Sequence, residues 1–227
     1  MLNRLLRASW TKVMTPIAKA FLAIGLTPDA VTIAGTLAVC ASALAFYPRG
    51  EFLTGTLLVT LFIFSDNVDG VMARLSGRQG VWGAFLDSTL DRVGDAAIFG
   101  GLVLWFAGPG ANWLMAGLAL GCLILGMVVS YAKARAEGLG MTCNVGIAER
   151  ADRLFAVLLA TGLVGLGLPL WVLTVVLALL AIASLVTVFQ RMATVREQAM
   201  AALKPPPATL AQLAPPGRRS PKWRHCP

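Results

Sequence analysis

The chain has 227 residues, 57% of them hydrophobic and 13% charged, with a formal net charge of +8 and a mean hydropathy of +0.75. That composition is too apolar for an ordinary soluble domain and fits one polytopic membrane domain. The single histidine, His225, lies two residues from the C-terminus, which excludes a histidine triad or a histidine-ligated metal in the core, and Cys40, Cys122, Cys143 and Cys226 show no C-x-x-C spacing, so they read as apolar fillers rather than a zinc site or disulfide framework.

Residues 1–27 place Leu2, Leu6, Trp10, Val13, Ile17 and Phe21 at a spacing of three and four, with Arg4, Arg7, Lys12 and Lys19 elsewhere around the helix. This predicts an N-terminal amphipathic helix lying in the membrane interface, the alternative being a helix packed on protein. Lys12 and Pro16 interrupt any apolar core, so the segment does not read as a signal peptide.

Three long apolar stretches follow, each with a turn signal near its middle. Residues 30–65 break at Tyr47-Pro48-Arg49-Gly50, residues 96–132 at Gly108-Pro109-Gly110, and residues 154–190 at Gly165-Leu166-Gly167-Leu168-Pro169. A bilayer core takes about 20 helical residues, so each stretch is a hairpin of two spans. The expectation is an all-α polytopic membrane protein with six transmembrane helices over residues 28–199. Of the 19 Lys and Arg residues only Arg49 falls at a hairpin tip. The positive-inside rule then puts both termini and the inter-hairpin segments on the cytoplasmic side of a cell membrane. Residues 200–227 hold Pro205-Pro206-Pro207, Pro215-Pro216 and a basic run from Arg218 to Arg224, which reads as a disordered, solubilising tail. No nucleic-acid partner is expected.

The first inter-hairpin connection carries the charge that matters. Residues 66–91, DNVDGVMARLSGRQGVWGAFLDSTLD, hold four of the eleven acidic residues in a nearly uncharged setting. Buried carboxylates need partner cations, so such a strip is a functional-site hypothesis by default. Asp66 and Asp69 are three apart and Asp87 and Asp91 four apart, which sets each pair on one face of a helix. Gly70 and Gly83 would let backbone approach a ligand closely. Two helix ends with two carboxylates each suit hard divalent cations, and phosphoryl transfer is the chemistry that uses paired metals best. A cation-coupled transporter lined by acids is the reading from another class.

The full pattern, D-x2-D-G-x2-A-R-x8-G-x3-D-x3-D, is met at Asp66, Asp69, Gly70, Ala73, Arg74, Gly83, Asp87 and Asp91. It resembles the signature of the CDP-alcohol phosphotransferase family, whose members move a substituted phosphate from a CDP-linked donor to an alcohol and release CMP. The resemblance covers most of residues 1–195. It implies that Asp66, Asp69, Asp87 and Asp91 hold two Mg2+ ions, with Mn2+ as the other candidate, and that Asp91 is also the base for the acceptor hydroxyl. It implies a nucleotide pocket lined by Asp69, Gly70, Ala73, Arg74 and Gly83. Pro28, Asp29 and Thr32 belong to a segment, TPDAVT, that resembles the family's T-P-N-x-x-T. Asp29 departs from Asn there: it can accept from a cytosine amino group but cannot donate. Thr27-Pro28 is equally a helix start, with a capping hydroxyl and Pro at the first position.

Lys133, Arg153 and Arg191 come from the ends of three different predicted spans that the fold would bring near the acids. Such a cluster suits an acceptor that carries a phosphate. Arg135 and Arg150 read instead as topology signals or partners of Glu137, Glu149 and Asp152. Within the family, FSDNVDGVMAR, SYAKARAEGLG and AERADRL look most like the actinobacterial branch that makes phosphatidylinositol phosphate. This implies CDP-diacylglycerol as lipid donor, inositol 1-phosphate as acceptor, Ser130 assisting Lys133, Arg153 and Arg191, and a homodimer. A branch using glycerol 3-phosphate is the alternative, since both acceptors are anionic. Gly117 and Gly121 form a G-x-x-x-G step that would pack helices within one chain or between two.

Overall fold

The computed structural model describes residues 14–77 and 80–203, apart from the side chains of residues 65–67. The first part of the amphipathic segment, Leu2 to Val13, and the tail from residue 204 onward lie outside the described residues. All regular structure among the described residues is helical: α1 Met14–Ala23, α2 Pro28–Phe46, a 3-10 turn Tyr47–Arg49, α3 Phe52–Ser76, α4 Val81–Ala107, α5 Trp113–Gly138, α6 Arg150–Gly165 and α7 Trp171–Ala202.

Local chemistry sets these boundaries. Thr27 caps α2 by accepting the Ala30 N–H at 3.2 Å, with Pro28 at the first position. Asn112 caps α5 by accepting the Met115 N–H at 3.1 Å. Glu149 and Asp152 form a reciprocal capping box at the start of α6. Gly77, at φ 66°, ends α3 in the left-handed conformation that favours glycine. The three turn signals of the sequence fall between α2 and α3, α4 and α5, and α6 and α7.

Six helices therefore occupy the region where six spans are expected, and four of them are long and apolar enough to cross a membrane: Pro28–Arg49, Phe52–Ser76, Trp113–Gly138 and Trp171–Ala202. The other two differ for physical reasons. Helix α4 carries Asp87, Asp91, Arg92 and Asp95 within its first fifteen residues. Helix α6 has 16 residues, about 24 Å of helix against a hydrocarbon core of about 30 Å. Exposed Leu57, Leu61, Ile124, Leu179 and Ile182 make an apolar perimeter of the kind lipid covers.

Inside that perimeter α2 packs on α3 and α4, α5 on α4 and α7, and α6 on α3 and α7. The core includes Tyr47, Ile98, Leu102, Phe106 and Leu177, all at most 1% exposed. It extends to the end where α2 turns into α3. There the Tyr47 hydroxyl meets Thr56 Oγ1 at 3.1 Å, and Phe52 packs edge-on against Trp105. At the same end, a β-carbon at Gly165 would fall 2.4 Å from the Leu53 nitrogen, so α6 meets α3 backbone to backbone.

At the opposite end α1 docks on α3: Ala18, fully buried, packs with Val68, Val71 and Met72, while Ile17 stays 40% exposed. Protein packing thus accounts for one face of the described part of the amphipathic segment. On α5, a β-carbon at Gly117 or Gly121 would meet nothing within 4 Å, so that G-x-x-x-G step does no packing among the described residues of this chain.

Candidate active site

The antiparallel course of the bundle brings six ends together: the starts of α2, α4 and α6 and the ends of α3, α5 and α7. The acidic strip lies here. Asp69 is on the last turns of α3, and the buried Thr32 hydroxyl of α2 sits between the Asp69 carboxylate and the Pro28 carbonyl, the latter 3.1 Å away. Asp29 accepts the Trp82 indole N–H at 3.0 Å, which ties the start of α2 to the start of α4. Asp66 is on α3 three residues before Asp69, its side chain outside the described residues.

From α4, Asp87 is exposed and Asp91 half-buried. The Asp87 charge acts on both Asp69 and Asp91. Carboxylate oxygen is the donor that Mg2+ and Mn2+ prefer, so these residues fit a divalent ion in charge and chemistry. Among the described residues, which leave out the Asp66 side chain, no three His, Cys, Asp or Glu stand together closely enough to hold a metal ion. Beside the carboxylates the surface is open. A β-carbon at Gly83 would meet nothing within 4 Å, and one at Gly70 only Arg74 Nη1 at 3.9 Å. Ala73 is half-buried and Arg74 exposed on the same turn. A small cleft beside Asp91 and Arg150 is lined by Gly35, Val39, Ile63 and Ile98.

The basic residues are organised differently. Arg153 is 2% exposed and donates through Nη1 to the Ala148 carbonyl at 2.8 Å. Its guanidinium lies on Gly126 of α5, where a β-carbon would come within 3.3 Å of Nε. Arg191, 5% exposed, donates to the carbonyls of Val145, at 3.0 Å, and Val129. Thr187, one turn earlier, accepts the N–H groups of Ile147 and Ala148 at 3.2 and 3.1 Å. Together they strap residues 139–149 onto α7. Ser130 binds the Gly126 carbonyl at 2.9 Å and accepts from Arg92. Lys133 meets Glu137, one turn on, at 3.9 Å.

Sequence reasoning passed over Arg92, Asp95 and Arg150. Arg150 was expected to serve topology or to pair with its neighbours. Instead it reaches α4: Nη1 lies 2.8 Å from Asp91 Oδ1, and Nη2 3.1 Å from Asp95 Oδ1. The reason is local, because Glu149 and Asp152 are engaged in the capping box of α6. The available signal was spacing: Asp91 and Asp95 are four apart on α4, and Arg150 and Arg153 three apart on α6.

Comparison with known proteins agrees with this geometry. Residues 25–146, more than half the chain, match the family model described as CDP-alcohol phosphatidyltransferase. The chain is 52% identical over 204 residues to a phosphatidylinositol phosphate synthase of Streptomyces avermitilis, covering 87% of this chain and 84% of that one. The phosphatidylinositol phosphate synthase of Mycobacterium tuberculosis with CDP-DAG bound superposes with a TM-score of 0.79 at 41% identity, over 81% of this chain and 94% of that one. The same Mycobacterium tuberculosis enzyme in complex with manganese and citrate gives 0.75 at 42% identity, over 80% and 88%. The chain belongs to the CDP-alcohol phosphatidyltransferase family.

Proposed function

We propose that this protein transfers the phosphatidyl group of CDP-diacylglycerol to a hydroxyl of inositol 1-phosphate, giving phosphatidylinositol phosphate and CMP. The observation that carries the reading is the meeting of two opposite surfaces at one residue. Asp91 belongs to the carboxylate face of α3 and α4 and also contacts Arg150, the first residue of a basic cluster drawn from α4, α6 and α7. A diphosphate donor and a phosphate-bearing acceptor need those two surfaces side by side. The relatives named phosphatidylinositol phosphate synthases support inositol phosphate as that acceptor.

In this reading Asp66, Asp69, Asp87 and Asp91 hold two Mg2+ ions, and the relative bound to manganese supports a divalent metal. When bound, the metal neutralises diphosphate oxygens and stabilises the CMP leaving group. The acceptor oxygen forms its bond to the phosphorus that carries the diacylglycerol, the bond from that phosphorus to CMP breaks, and Asp91 takes the hydroxyl proton. Pro28, Asp29, Thr32, Asp69, Gly70, Ala73, Arg74 and Gly83 hold the cytidine nucleotide, for which the open space beside both glycines leaves room. Ser130, Lys133, Arg153 and Arg191 bind the acceptor phosphate. The same reading has α2 to α7 as six spans of a bacterial plasma-membrane protein with both termini and the site cytoplasmic. It has the protein as a homodimer, for which the unpacked Gly117–Gly121 face of α5 is available.

The test is CMP release by purified protein from labelled CDP-diacylglycerol with inositol 1-phosphate, glycerol 3-phosphate or free inositol. Turnover is expected with inositol 1-phosphate. Turnover with glycerol 3-phosphate alone would overturn the acceptor, and the absence of CMP with every acceptor would overturn the reaction.

A further inference from the structure

We propose that Asp95 is a positioning residue for the acceptor, acting through Arg150 and Arg92 and touching neither substrate nor metal. The inference rests on the function proposed above. Asp95 lies one turn beyond Asp91 on α4, outside the eight-position acidic motif, and is 7% exposed. A carboxylate so buried needs compensation, and its partners are two guanidinium groups. Arg150 reaches Oδ1 through Nε and Nη2, each at 3.1 Å, and Arg92 Nη2 stands 3.5 Å from Oδ2. The Asp95 charge also acts on Arg153.

What these arginines do with their remaining donors gives the arrangement its purpose. Arg150 extends Nη1 to Asp91, the residue read as the base, and Nη2 towards the Asp91 carbonyl at 3.4 Å. Arg92 extends Nη1 to Ser130, a residue read as part of the acceptor site. Arg92 Nε is buried and has no partner among the described residues, so this side chain is held through its two outer nitrogens, Nη1 on Ser130 and Nη2 between Asp95 and, at 3.8 Å, Asp91. Without Asp95, Asp91 would be the one carboxylate among the described residues left in contact with Arg92 and Arg150. Asp95 therefore holds the Arg150 and Arg92 guanidinium groups in place beside Asp91. With Nε and Nη2 anchored on Asp95, the rigid guanidinium keeps Nη1 directed at the space beside Asp91, where a phosphate would arrive.

The experiment is steady-state kinetics of Asp95→Asn, Arg150→Gln and the double variant, using whichever of inositol 1-phosphate and glycerol 3-phosphate supports wild-type turnover. A wrong acceptor then sinks the function reading alone. The expected result for Asp95→Asn is an acceptor KM raised about tenfold or more, with the CDP-diacylglycerol KM within about twofold of wild type. In the Arg150→Gln background the same change should add less than about threefold, because the two residues act as a unit. Equilibrium binding of the acceptor phosphate to metal-free protein, followed by calorimetry, should weaken by a similar factor. A fall in kcat with both KM values unchanged, or equal rises in both, would mean a purely structural carboxylate and overturn the proposal. If Asp95→Asn does not fold, Asp95→Glu keeps the charge and displaces it by one methylene; an unchanged acceptor KM there would be equally fatal.

Discussion

Asp87 is exposed and shares its surroundings with two other carboxylates, whereas Arg191, at the other side of the same site, is 5% exposed and already donates to two backbone carbonyls. The acidic face is built from like charges, of which Asp87 is exposed. The basic face is knitted into the fold, with Arg153 and Arg191 joining α5, α6 and the 139–149 connection. The contrast teaches that the two halves meet their ligands in different states of completion. The carboxylates need a cation to relieve mutual repulsion, while the arginines are compensated before any phosphate arrives.

Removing the divalent metal should therefore have the largest effect. Chelation is expected to abolish CMP release, and added Mg2+ or Mn2+ to restore it. Metal should also raise the thermal unfolding midpoint of the wild type but raise it less in Asp87→Asn, where one repelling charge is gone. An equal rise in both would break the contrast. Asp91→Asn comes next: turnover should fall by about 10²–10⁴-fold, the range for a lost general base, and CMP release at saturating donor and acceptor checks it. Near-normal turnover would remove Asp91 from that role. The smallest effect belongs to the basic side. Thr187→Val removes the acceptor of two N–H groups and should cost about 1–3 kcal/mol of stability in denaturant unfolding. The metal-dependent shift in midpoint should stay as large as in the wild type.

The acidic face was legible in the sequence because its logic is local. Spacings of three and four along a helix put Asp66 with Asp69 and Asp87 with Asp91, and the helices that carry them are fixed by apolar runs and turn residues a few positions away. The turns at Gly50, Gly108 and Gly165 were legible for the same reason. Partners across the bundle were not. Arg150 has Glu149 and Asp152 beside it in sequence, and only the capping box, which occupies both, shows why it reaches α4 more than fifty residues away. The carbonyl partners of Arg153 and Arg191 leave no mark in side-chain chemistry at all. Span counting met a related limit, since α4 is charged where it builds the site and α6 is short.

The close approach of Gly165 to Leu53 gives α6 a mechanical character. A helix of 16 residues is a stiff rod of about 24 Å, and this one rests on α3 at its far tip while Arg150 stands at the other. The contact is a fulcrum. A side chain at position 165 would lever α6 away from α3, and the displacement would reach the guanidinium beside Asp91 along the length of the rod.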